Sequence, residues 1–217
     1  MEKNRSGQFI ALLALIVAIV GVSVGFAAFS SALRIQSSAN VTPDQSTLNV
    51  DFSSSDTAVV TNAIKPTTTP TTVVATDATI DNSADPVIRN LSATFKEPGQ
   101  KAVYTFYAYN AGELEAFLKS IVYENVSSKN SNKVCTAGEG TTDALVQKAC
   151  EGISLKVKVG TDAETSSGIA SISNHSLGKA KSETITVTLE YASDATRADG
   201  DFTVSFGDVT LNYSSVG

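Results

Sequence analysis

The sequence predicts an all-β protein: an antiparallel β-sandwich of the jelly-roll or Greek-key kind, with one short helix and an apolar N-terminal helix ahead of it. Three observations carry that expectation. Roughly seven to nine segments alternate apolar and polar residues at period two, with turn residues between them. The chain is rich in Val, Thr, Ser and Ala, while Trp is absent and Met and His occur once each, a balance that suits strands better than helices. One uncharged stretch, from Ser6 to Leu33, stands apart from everything that follows.

That stretch contains "FIALLALIVAIVGVSVGFAAF" (9–29), long enough to cross a bilayer as a helix. Lys3 and Arg5 precede it and keep the N-terminus cytoplasmic, so the remainder is expected outside the cell or at its surface. Residues 1–27 are then either a signal peptide or a membrane anchor. Gly25 and Ala27 satisfy the small-residue rule for cleavage after Ala27, which makes Ala28 the first mature residue. The apolar run is long for a signal core, so an anchor that holds the membrane through residues 9–29 stays open.

Residues 28–52 form an N-terminal strand segment. "ALRIQSSANV" puts Leu33, Ile35, Ala39 and Val41 on one face, and "STLNVDF" does the same with Leu48, Val50 and Phe52. Residues 53–85, Ser/Thr-rich with Pro66 and Pro70, read as a surface excursion or an extended arm. The core is expected over 86–217, completed by strands from 28–52. "PVIRNLSATF" (86–95) reads as one strand closed by "KEPGQ", in which Pro98 and Gly99 suit the central positions of a type II turn. "KAVYTFYAYN" (101–110) carries aromatics on both faces and is expected between two layers. After Ala111 and Gly112, "ELEAFLKSIVYEN" fits helix and strand templates alike, and a hairpin with 101–110 favours strand. "TTDALVQKAC" reads as a short helix with Thr142 at its N-cap. "ISLKVKV" and "ETITVTLEY" alternate cleanly. In "DFTVSFGDVTLNY" the inward set slips between Phe206 and Val209, which predicts a bulge at Gly207 or Asp208.

Few residues offer chemistry. The net charge of −6 supplies no basic stripe for nucleic acid. The lone His175 sits in a turn, "SNHSLG", without a carboxylate close in sequence, and reads as a solvated loop residue. No H-E-x-x-H, G-x-S-x-G, P-loop or dinucleotide glycine motif occurs, so no enzyme, catalytic set, cofactor or metal is expected. Asp77, Asp81 and Asp85 recur every four residues, too sparsely for a calcium loop. Sequons stand at Asn40, Asn90, Asn125, Asn174 and Asn212. Cys135 and Cys150 face an oxidising compartment by this topology. Two free thiols or half a metal site are the alternatives to a disulfide, which closes a loop worth about 3 kcal/mol.

Several stretches together resemble the TasA/camelysin family of exported bacterial β-sandwich proteins. "GVSVGFAAFSS" resembles the family's signal-peptide end and "STLNVDF" its first mature strand. "IRNLSATFKEPGQKAVYTFYAYNAGELEAFLKSI" resembles its strand, Pro-Gly turn (Pro98, Gly99), strand ending in Asn-x-Gly (Asn110, Gly112), and following strand. "HSLGKAKSETITVTLEY" and "FTVSFGDVTLNY" resemble its closing strands. The long segment between Phe52 and Ile88 and the cysteine pair depart from the family pattern. The resemblance implies a secreted subunit of extracellular, biofilm-associated fibres. Some members are described as metalloproteases, and this chain has no His/Glu ligand set to carry that over.

Elementary sheet physics fits such a role. A sandwich lacking a strand exposes an unpaired edge. An N-terminal strand anchored by Phe29, Leu33 and Ile35 could fill that edge in the next copy, head to tail, or pair within its own domain. The partner is then another copy of the same chain. A membrane-anchored adhesion or binding module is the alternative. A pilin-like subunit is a third reading, weakened because Leu12 stands where such helices carry Glu.

Overall fold

Period-two alternation governs the strongest strands. In a computed structural model that describes residues 48–124, 132–165 and 175–215, strand β10 (Ile153–Val159) buries every second side chain without exception. Its neighbour β12 (Ser182–Tyr191) buries Ile185, Val187, Leu189 and Tyr191. These two strands pair in full register, and β12 pairs in turn with β7 (Lys101–Asn110). The far edge of β7 is shared. β1 (Val50–Ser53) covers its C-terminal half and β2 (Thr67–Thr69) its N-terminal end.

Two further sheets repeat one strand order. One runs β11 (Ser176–Leu177), β8 (Ala116–Tyr123), β14 (Val209–Ser214), β5 (Val87–Arg89) and β4 (Thr79–Asp81). The other runs β9 (Lys133–Ala137), β13 (Phe202–Phe206), β6 (Ser92–Phe95) and β3 (Val74–Ala75). Chain segments therefore pass from one sheet to the other side by side, breaking at 76–78, 90–91 and 207–208. At Asn90 the break needs a left-handed backbone, φ 61°, which Asn tolerates better than most residues. Arg89 staples the junction through ion pairs with Asp81 and Asp208 at 2.8 and 2.9 Å. All strand pairs are antiparallel, and the protein is mostly β with a single helix among the described residues.

One apolar core serves all three sheets. Phe52 meets Phe106 edge to face at 4.9 Å, and Tyr191 packs between Phe95 and Phe202 at 6.1 and 5.4 Å. Such pairs contribute about 0.5–1.5 kcal/mol beyond the area they bury. The hydroxyl of the buried Tyr104 shares its one proton between the carbonyls of Thr76 and Ser92, both at 3.0 Å, tying β7 to the third sheet. Burial pushes that phenol up to about 12.

Several expectations change. Residues 86–95 form two strands, because the αL turn at Asn90 divides them. The slip at Gly207–Asp208 is a break between sheets, and the register shift falls instead between Asn212 and Tyr213, opposite β8. β8 is a strand but pairs with β14 and β11, since the chain crosses to another sheet after Asn110. β7 buries one face only: Tyr107 and Tyr109 stay half-exposed on the other. Residues 53–85 supply β2, β3 and β4 and bury Ile64, Val73 and Ala78. "KVCTA" is a strand that the alternation did not announce.

The helix α1 (Asp143–Glu151) starts at Thr142, yet the Thr142 side chain makes no capping bond. A disulfide joins Cys150 of α1 to Cys135 of β9. Among the described residues no helix is long and apolar enough to cross a membrane. Residues 9–29, with the cleavage site at Ala27 and Ala28 and the anchors Phe29, Leu33 and Ile35, lie outside the described residues, as do Asn40, Asn125 and Asn174.

Candidate functional site

The β5–β14 ladder ends early. Val87 and Ile88 pair with Thr210 and Val209, and the next position toward the end of β14 would be taken by Pro86. Proline has no N–H to give a ladder, so the chain turns away through Ser83–Asp85. β14 nevertheless continues, paired with β8 on its other side. Among the described residues, Leu211, Asn212 and Tyr213 therefore have a strand neighbour on one side only.

A groove of about 670 Å³ lies along that gap. Its second wall is the edge of β1 with the residues before it, Leu48–Asp51, and its rim is the Asn82–Pro86 turn. Leu48, Val50 and Leu211 supply apolar surface, while Asn49, Asp51 and Asn212 supply hydrogen-bonding groups. The β1 edge is closed at one point: Phe52 donates its amide to Asn82 Oδ1 at 3.0 Å and accepts from Asn82 Nδ2 at 2.8 Å. Asn82 thus imitates a strand partner and marks the groove's inner end.

Two polar groups at the groove are under strain of solvation. Partial burial raises the Asp51 carboxyl above its ordinary 3.8, against the hydrogen bond from Asn49 at 3.1 Å. The Tyr213 hydroxyl is buried and has no hydrogen-bond partner among the described residues, and burial drives its pKa far above the usual tyrosine range. The groove lining holds no His, Cys or Lys among the described residues. Among the described residues no group of three or more His, Cys, Asp or Glu gathers as a metal site.

The other singled-out residues have structural posts. Gly99 has φ 90°, and the Gln100 amide reaches the Glu97 carbonyl at 3.4 Å across Pro98 and Gly99. Asn110 is fully buried where the chain leaves β7. Its Oδ1 accepts from Gly112 at 3.0 Å, and its Nδ2 donates to the carbonyls of Leu114 and Leu177, each at 2.7 Å. Gly112 also donates to Asn49, which fixes the approach to β1 beside the groove. Asn90 and Asn212 bond Thr79 and Ser120 through their side-chain amides.

His175 corrects the solvated-loop expectation. Its side chain is 12% exposed, with Nδ1 2.5 Å from Glu183 and Nε2 2.7 Å from Asp162. Those carboxylates are 8 and 13 residues away, beyond what local sequence reveals. The open edge was likewise invisible as a site, although Pro86 at the head of a strand was a readable signal. Comparisons with family models, curated proteins and solved structures find no match to this chain.

Proposed function

We propose that the described domain is a jelly-roll-like β-sandwich short of one strand beside β14, and that the chain is an exported structural subunit of an extracellular filament. In this reading Phe29, Leu33 and Ile35 of one copy fill the groove of the next. Head-to-tail strand addition then propagates without closing. The carrying observation is the edge at Leu211–Tyr213, which among the described residues has one strand neighbour because Pro86 ends the ladder.

The groove's volume lies within the roughly 300–1,000 Å³ usual for small-ligand pockets, so size alone does not choose the occupant. Its wall does. An unpaired backbone edge recognises another backbone, while alternating apolar and polar lining suits a strand of period two. Phe29, Leu33 and Ile35 stand at odd positions and share one face of such a strand. The uncharged segment behind Lys3 and Arg5 supports export, and the fibre-type role follows the resemblance to the TasA/camelysin family.

The test uses the full chain in an exporting host, with N-terminal sequencing and electron microscopy of the extracellular fraction. The expected result is a mature N-terminus at Ala28 and filaments that disappear when residues 28–36 are deleted. A full-length chain held in the membrane fraction as a monomer would contradict the reading.

A further inference from the structure

His175 is not among the residues that line the groove. It precedes β11, the edge strand on β8, and its carbonyl accepts the Leu118 amide at 3.1 Å. Its ring reaches a different sheet. Nδ1 meets Glu183 at the start of β12, and Nε2 meets Asp162 in the turn after β10. A neutral imidazole owns one N–H, so it can donate to one carboxylate while turning a lone pair on the other. Only the imidazolium donates at both.

We propose that His175 is a proton-operated clasp, whose imidazolium fastens the leading end of β11 to the first sheet through Glu183 and Asp162, and whose deprotonation gives up one of those two bonds and loosens that end against β8. The lever is short. β11 pairs only Ser176 and Leu177 with β8, and Leu177 is held independently by Asn110. What the proton controls is therefore His175 and Ser176, with the Leu118 amide as the reporting bond.

The charges around the ring agree. Burial alone would lower the His175 pKa, but the hydrogen bonds and charges of Asp162 and Glu183 outweigh it and raise the value above 6.5. From β14, the buried Tyr213 hydroxyl senses the same Glu183. On β8 the charged residue beside Leu118 is Lys119, whose ammonium stands over the Phe117 ring. With the folded value above the unfolded one, the clasp is complete below about pH 6.5 and is lost as pH rises through the raised native value.

The chain has a single histidine, so its imidazole resonance is unambiguous. On the full chain, NMR would follow that resonance and the exchange protection factor of the Leu118 amide against pH, with the Val187 amide in central β12 as control. The expected result is titration above 6.5 and a loss of Leu118 protection of about tenfold or more across it, the scale of one charge-assisted hydrogen bond. Val187 stays unchanged, and His175→Gln shows no pH step at Leu118. Titration at or below 6.5, unchanged Leu118 protection through it, or the same step in His175→Gln would overturn the proposal.

Discussion

Two sheet edges of this protein are treated in opposite ways. Beside β9 lies α1, fastened by the Cys135–Cys150 bond and packed through the buried Val146 and Ala149. Beside the last residues of β14 lies a groove. Covering an edge is the ordinary defence against unwanted pairing, and helix plus disulfide is a costly form of it. The chain covers one edge and stops the ladder at the other with Pro86, and under the proposed function the second edge is the surface where the next copy would pair.

The contrast can be broken from the guarded side first. Replacing both cysteines, Cys135→Ala with Cys150→Ala, is expected to cost about 3 kcal/mol, the chain-entropy value for a loop of this length. Denaturant unfolding measures the loss, and hydrogen exchange locates it. Amides of β9 should lose protection while those of β14 beside β8 keep it. Equal loosening of both regions would mean that the helix braces the whole domain and is no edge guard.

A smaller effect sharpens the open side. Tyr213→Phe removes a buried hydroxyl that has no partner among the described residues, so stability should be unchanged or should rise by up to about 1 kcal/mol, read from the denaturation midpoint. A loss of more than about 1 kcal/mol would show that the hydroxyl is doing bonding work in the folded subunit.

The same contrast explains what was legible in the sequence. Strands packed on one face announce themselves, as Ile153–Val159 and Ile185–Tyr191 do, because solvent and core impose period two. β9 did not, since Val134 is exposed and its cover comes from a helix ten residues later. The divided strand at Asn90 turns on one backbone angle, to which hydrophobic patterning is blind. The short turn after Asn110 suggests a hairpin of β8 with β7, whereas the Asn110 network turns the chain into another sheet. The Cys135–Cys150 pair was readable from number and spacing. His175 was not, because its charge state is set by carboxylates brought from two other segments. The groove arises from register, which only the folded pairing reveals.

Assembly through the groove puts the decisive contact on the edge of β14. Hydrogen exchange of the Leu211, Asn212 and Tyr213 amides, compared between soluble subunit and assembled polymer, reads that edge directly. Strand addition should raise their combined protection on assembly, with no comparable change in the interior strand β13. If assembled material leaves all three amides exchanging as in the free subunit, the groove is not where copies join.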